Sequence, residues 1–290
     1  MRVFTPFNVA VMIVFENALS INNQLIELKK SGKKIGFVPT MGALHSGHIS
    51  LVNNAKEVCD VVVVSVFVNP KQFNNATDLE KYPRTLEKDV ALLAENGVDF
   101  VFAPTFEEIY PADYQSPSID LMQLDKVMEG QFRPGHFKGV VEVVKRLFEI
   151  IQPDFAYFGQ KDFQQVAIIK YMTSYFQLPV TVVECPIIRS DKGLALSSRN
   201  MRLSEADKEQ ALVLYQTLVF AKEQVGMVPP KELAAQCAEK INQAGLKTEY
   251  VEIVDGATLE KLTAWNTYAV CCVAAYCGEV RLIDNMVLIG

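Results

Sequence analysis

Val61-Val-Val-Val-Ser-Val-Phe-Val68 is a run of eight nearly continuous apolar residues. Such a run reads as a strand buried on both faces, because a sheet with one wet face would alternate apolar and polar positions. Strands buried on both faces belong to parallel sheets covered by helices on each side. On its N-terminal side, Ile49, Val52, Ala55 and Cys59 recur at helical spacing. Before them, Ile35-Gly-Phe-Val38 reads as another buried strand, cut by Pro39. Ile21, Leu25, Ile26 and Leu28 predict an amphipathic helix over 20–31, and Met12-Ile-Val-Phe15 a further strand. On the C-terminal side, a helix over 85–96 leads into a strand over 98–102. Helix 139–151, strand 154–158, helix 162–176 and strand 180–185 follow. This alternation predicts an α/β fold with a doubly wound parallel sheet. After about residue 190 the pattern changes. Helices over 205–224 and 230–244, then strands near 248–254, 267–276 and 280–283, predict a smaller C-terminal α+β domain. The expected division is 1–187 and 188–290.

Composition narrows the function classes. A chain of 290 residues, half of them hydrophobic, buries roughly three quarters of its surface on folding and is not intrinsically disordered. Its 28 basic and 34 acidic residues give a net charge of −6, the wrong sign for gripping a nucleic-acid backbone. No stretch is long and apolar enough to suggest a membrane span. The six cysteines, at 59, 185, 237, 271, 272 and 277, include no Cys-x-x-Cys and read as small buried hydrophobes in a reducing, cytoplasmic compartment. No metal site is expected from protein side chains alone. Residues 1–11 read as an extension ahead of the first core strand, since Asn8 interrupts their apolar run and no cleavage site follows.

In an open parallel sheet, ligands bind beyond the carboxyl ends of the strands. Four polar segments follow predicted strands there. The first is Pro39-Thr-Met-Gly-Ala-Leu-His45-Ser-Gly-His48, and the second is Asn69-Pro-Lys-Gln72-Phe73. The third is Gly159-Gln-Lys161-Asp162-Phe-Gln164-Gln165. The fourth runs from Ile188-Arg189 to Gly193-Leu-Ala-Leu-Ser197-Ser198-Arg199-Asn200. His45 and His48, three residues apart at a helix start, lie on one face of its first turn. They suit a phosphate whose charge grows during reaction, or they cap the turn structurally. A zinc site is the weaker reading, because only one other histidine, His136, is present. Lys161 can meet a phosphate as a point charge, while Asp162 can cap the next helix. Ser197, Ser198 and Arg199 after a glycine fit triphosphate oxygens, or make an ordinary solvated loop. Asn69 and Gln72 suit a neutral hydroxylated substrate, or form an Asn-Pro turn. The loop 129–139, rich in glycine and cations, is either an active-site wall or plain surface.

These segments, with Tyr82-Pro-Arg-Thr85 and Arg133-Pro-Gly-His-Phe137, closely resemble the pantothenate synthetase family. The likeness runs from about Met12 to the C-terminus and is dense up to residue 203. His-x-Gly-His alone is shared with other nucleotidylyltransferases, but six ordered motifs are specific. The resemblance implies a Rossmann-like N-terminal domain, a smaller C-terminal lid, and a homodimer. It implies an ATP-dependent ligase that joins pantoate to β-alanine through pantoyl adenylate, releasing AMP and pyrophosphate, with Mg²⁺. Carried over by motif, Met41, Gly42, Ala43, Leu44, His45, Ser46, Gly47 and His48 would line the ATP site. Gly159, Gln160, Lys161, Asp162, Ile188, Leu196, Ser197, Ser198 and Arg199 would complete it. His48, His45, Lys161, Ser198 and Arg199 would be catalytic, and Gln72, Gln165 and Asn69 would hold the small substrates. Gln160 stands where many members have Glu. Two other classes compete. Another nucleotidylyltransferase would share the histidine pair, but Gln72 and Gln165 argue against a phosphorylated substrate. A non-catalytic nucleotide-binding regulator would be expected to have lost some of His45, His48, Lys161, Ser198 or Arg199, and all are present.

Overall fold

The computed structural model describes residues 2–4, as backbone, and 12–290. The chain forms two compact units: Met1–Asp120, Pro134–Gly159 and Ile168–Cys185 make the first, while Leu121–Arg133, Gln160–Ala167 and Pro186–Gly290 make the second. The chain thus passes between units several times, unlike the single division expected at 187. Two earlier stretches, 121–133 and 160–167, pack with the C-terminal part, which their local sequence does not announce.

The first unit is built on a seven-stranded sheet. Its strands are β1 (Arg2–Phe4), β2 (Met12–Phe15), β3 (Ile35–Thr40), β4 (Val61–Val66), β5 (Phe100–Phe102), β6 (Phe155–Gly159) and β7 (Thr181–Cys185). The spatial order is β1-β2-β5-β4-β3-β6-β7. Strands β2 to β7 are mutually parallel, and β1 adds an antiparallel edge to β2. The six parallel strands give the Rossmann-like sheet expected. Most of the expected extension, residue 1 and residues 5–11, lies outside the described residues.

Strand β4 shows why the sheet is parallel and central. Val61, Val62, Val63, Val64 and Ser65 are all buried, and each buried valine contributes about 1.5–3 kcal/mol. Val62 and Val64 pack with Val38 and Val101 against Leu51, Val52 and Ala55 of helix Ser46–Val58 and Val90, Leu93 and Ala94 of helix Leu86–Glu95. Phe37, pointing the other way from Val38, meets Phe148 of helix His136–Ile151 edge-on at 6.4 Å. That helix is joined to helix Ala18–Lys30 through the bond from Asn22 Nδ2 to Ile150 O. Both faces are therefore covered.

Pro39 does not cut β3 as expected. Ile35 O faces β6, accepting from Asp154 N at 2.9 Å, so by alternation Pro39 N faces that side too. Pairing with β6 reaches only Phe37. The missing N–H falls where the ladder has already ended.

The second unit carries the antiparallel sheet β10-β9-β8, with β8 Lys247–Asp255, β9 Ala269–Cys277 and β10 Val280–Ile289. Strand β9 is buried on both faces. Ala269, Cys271, Val273 and Ala275 pack among residues such as Leu218 and Leu233 of helices Glu205–Glu223 and Pro230–Gln243. Val270, Cys272 and Ala274 pack with Met128, Phe163 and Leu259. All six cysteines are free thiols, five of them buried and Cys59 half-buried, which is the role small apolar residues would fill.

A buried ionic cluster ties Met128–Phe132 to this sheet. Arg281 on β10 donates to both oxygens of Glu129, at 2.7 and 2.9 Å, and its Nε donates to Glu249 Oε2 at 2.9 Å. Tyr250 OH donates to Glu129 Oε1 at 2.8 Å, and Phe132 stacks on the Tyr250 ring at 5.6 Å. Burial pushes the Glu129 carboxyl up, but Arg281, Arg133 and Tyr250 outweigh it and hold the group at about 2.

Candidate active site

The chain leaves β3, β4, β6 and β7, four neighbouring parallel strands, at their carboxyl ends, and the polar segments begin there. After β3, Thr40 Oγ1 donates to Ser65 O at 2.7 Å and accepts from Gly42 N at 3.1 Å. Gly42 has φ +80°, and a Cβ there would stand 3.0 Å from both Asp89 and Val66. Asp89, 2% exposed, accepts from Ala43 N at 3.0 Å, Leu44 N at 2.8 Å and Thr85 Oγ1 at 3.2 Å. A carboxylate from helix Leu86–Glu95 thereby sets the path of the loop leading to the histidines. The sequence reading missed Asp89, because an acid in a first helical turn looks like ordinary dipole compensation.

His45 and His48 cap helix Ser46–Val58 reciprocally. His45 Nδ1 accepts from Gly47 N at 3.1 Å, and His48 Nδ1 accepts from His45 N at 3.3 Å. The rings lie 4.2 Å apart, centroid to centroid. An imidazole that accepts through Nδ1 carries its proton on Nε2. The structural and chemical readings of the pair are therefore compatible: one nitrogen of each ring caps, and the other is set as a neutral N–H donor. No acidic side chain occupies the first turn of this helix, so its positive end is uncompensated from within and suits an anion.

After β4, Asn69 begins the short turn Pro70–Gln72. Asn69 is 1% exposed and fully engaged. Its Oδ1 accepts from Lys71 N at 3.3 Å and Tyr110 OH at 3.1 Å, and its Nδ2 donates to Gln72 Oε1 and Gly139 O, each at 3.1 Å. Burial, and then the nearby Glu142, keep the Tyr110 phenol well above its ordinary range, so it remains a donor. These bonds fix both amides. Gln72 must present Nε2 on its other side, where it meets Met41 Sδ at 3.1 Å. The histidine loop and Gln72 are thus neighbours within the first unit. His136 Nδ1 donates to Gln72 O at 2.7 Å. Gly139 lets its helix lie directly on this turn, since a Cβ would fall 2.3 Å from Lys71 O. The loop 129–139 is accordingly no single wall: its beginning belongs to the second unit and its end supports Gln72 in the first.

The remaining predicted residues lie in the second unit, apart from Gly159, which ends β6. Gln160–Asp162 form one helical turn leading into helix Phe163–Tyr175. Lys161 Nζ is 3.8 Å from Asp162 Oδ1. The two glutamines separate here: Gln164 is buried and donates to Leu124 O and Val127 O at 2.6 and 2.8 Å, whereas Gln165 is half-buried. After β7, Leu196 N donates to Ile188 O at 3.0 Å and closes a narrow hairpin. Gly193 at its tip has φ +105°, and a Cβ would overlap the Tyr215 ring at 2.1 Å. Ser197 then caps the turn Ser198–Arg202, accepting from Arg199 N at 3.3 Å, with Ser198 buried and Arg199 half-buried.

A family model described as pantoate-beta-alanine ligase matches residues 13–287. The chain belongs to that family. It is a ligase. It is 51% identical over 283 residues to the pantothenate synthetase of Phocaeicola vulgatus, covering 95% of this chain and 99% of the relative. It is 49% identical over 278 residues to that of Bacteroides thetaiotaomicron, covering 95% and 98%. The crystal structure of the Thermus thermophilus pantothenate synthetase superposes with a TM-score of 0.90 at 40% identity, covering 96% of this chain and all of that one. A pantoate-beta-alanine ligase from Francisella tularensis, solved with beta-gamma ATP and beta-alanine, superposes with a TM-score of 0.81 at 39% identity, covering 96% and 98%. The likeness to the Thermus structure extends over 96% of this chain, and so over the six-stranded parallel sheet and the three-stranded antiparallel sheet described above.

Proposed function

We propose that this ligase joins pantoate to β-alanine by first adenylating the acid. A pantoate carboxylate oxygen attacks the α-phosphorus of ATP, the bond to the β-phosphate breaks, and pyrophosphate leaves. The β-alanine amine then attacks the acyl carbon, loses a proton, and AMP departs. A carboxylate is a poor acyl donor until its oxygen becomes part of a good leaving group, so the protein's task is alignment and charge stabilisation. The observation that carries this reading is the capped histidine pair at an uncompensated helix N-terminus, beside the oriented amide of Gln72. His48 and His45 donate hydrogen bonds from Nε2 to phosphoryl oxygens, and His48 stabilises the charge that builds at the leaving group without giving up its proton. Met41 to His48 and Gly159 to Asp162 line the nucleotide site with Ile188 and Leu196 to Arg199. Lys161, Ser198 and Arg199 supply cations and a hydroxyl. Gln72 and Gln165 hold pantoate, with Asn69 fixing the Gln72 amide. The beta-gamma ATP and beta-alanine named for the Francisella structure support the same substrates here.

Magnesium would accompany ATP. Among the described residues no three or more His, Cys, Asp or Glu side chains gather as a metal cage. Such an ion would be held chiefly by phosphate oxygens and water, with one or two carboxylates at most. When bound, it would neutralise phosphate charge. A homodimer working in the cytoplasm completes the reading, and sedimentation velocity checks the assembly. Among the described residues no helix is long and apolar enough to cross a membrane.

Product analysis with ATP, pantoate and β-alanine tests this reading: AMP and pyrophosphate are expected, and ADP would contradict it. Gln72→Ala is expected to weaken pantoate use by about 1–3 kcal/mol, the cost of leaving a substrate hydrogen bond unmade, with ATP affinity nearly unchanged. An equal loss for both ligands would move Gln72 to the nucleotide site.

A further inference from the structure

Two adjacent polar residues, Asp284 and Asn285, sit in the middle of β10 at 4% and 2% exposure. Each reaches out of the sheet to a different loop. Asn285 Nδ2 donates to Gln160 O and to Lys161 O, both at 2.9 Å. Asp284 accepts two bonds from Arg189, at 2.5 and 2.9 Å, and one from Asn285 N at 2.8 Å. Arg189 lies over the Tyr215 ring at 4.4 Å and donates onward to Gly193 O at 3.1 Å and Asn285 O at 3.3 Å. It therefore braces the hairpin from which Ser197, Ser198 and Arg199 emerge.

The Asn285 amide has one orientation, because a flipped group would aim its oxygen at two carbonyls. Its Oδ1 is buried and has no hydrogen-bond partner. An orphaned buried acceptor is unfavourable, so an apolar residue would suit the sheet better if only the sheet mattered. The donor end is what the position supplies.

We propose that Asn285 and Asp284 are positioning residues for adenylation: from neighbouring places on one strand they hold the Lys161 turn and the Ser197–Arg199 loop in fixed register. This rests on the reading above that both loops meet the triphosphate. Phosphoryl transfer depends on alignment, and a displacement of about 1 Å can lower a rate about 100-fold. Asn285 touches no reacting atom in this scheme and acts through the Lys161 backbone.

A double-mutant cycle on ATP–pyrophosphate exchange tests the clasp, using the full chain as unmutated, Asn285→Ala, Lys161→Ala and doubly substituted enzymes. Asn285→Ala is expected to slow exchange by about 10- to 100-fold. In the Lys161→Ala background the same change should cost no more than about threefold, because the group being positioned is gone. Multiplying effects, or an undiminished Asn285→Ala rate, would overturn the proposal. A Lys161→Ala enzyme of full speed would overturn the phosphate role of Lys161 as well, a result distinct from multiplying effects in a slow one. Thermal melting accompanies each variant. Asn285→Asp, of the same size but without the donor, serves if alanine is not tolerated, and should also be slow. If neither variant folds, the pair serves stability and the proposal fails.

Discussion

Replacing His48 by alanine is expected to slow ATP–pyrophosphate exchange by roughly 10²–10³-fold, the usual cost of removing one preorganised donor to a developing charge. The structural basis is the tautomer. His48 Nδ1 is committed to the backbone N–H of His45, so the proton that the ring can donate is on Nε2. The alanine variant also loses a capping bond, worth about 1 kcal/mol of stability. His48→Asn separates the two effects, since its amide oxygen can cap but its short side chain cannot place a donor where Nε2 stands. It should melt close to the unmutated protein and exchange as slowly as alanine. Aminolysis of preformed pantoyl adenylate should be less affected, because pyrophosphate has already left. Full exchange activity in His48→Ala would remove the histidine pair from the mechanism.

Arg281→Met is expected to destabilise the second unit by about 3–5 kcal/mol, because it leaves the Glu129 carboxylate buried without its main cation. For a region of this size the melting temperature should fall by about 6–20 °C. The sign of the pH dependence follows from Glu129. Its carboxyl is held at about 2 in the folded chain, against an ordinary value of 4.5. The stabilisation it contributes is fully present above about pH 4.5 and is lost as pH falls toward 2. The variant lacks most of that contribution. The gap in melting temperature between unmutated and Arg281→Met proteins should therefore narrow from pH 6 to pH 3. A gap that stayed constant would show that Glu129 is not the group responsible.

The run from Val61 was legible as a central parallel strand because burial on both faces leaves a composition that few other elements share. The cysteines of β9 were legible as core for the same reason. The last strand was not: the apolar pattern is broken by Asp284-Asn285, so β10 was expected to stop at 283 although it continues to Ile289. That break carries the clasp proposed above, and conflicts between local pattern and fold tend to fall at such places. Gln164 and Gln165 were indistinguishable as neighbours, and only the packing of 121–133 shows that Gln164 is committed to two carbonyls. Asp89 and the supporting bonds around Asn69 were invisible because they join residues distant in sequence. The exchange of 121–133 and 160–167 into the second unit was hidden likewise, since each is flanked by segments of the first.

Labelled pyrophosphate, MgATP and pantoate, incubated with the unmutated protein and no β-alanine, test the central claim most directly. If the acid is adenylated before the amine is engaged, label should appear in ATP at a rate that depends on pantoate and falls to background without it. No exchange under these conditions, with full ligase activity once β-alanine is supplied, would mean that no pantoyl adenylate forms as a separate intermediate.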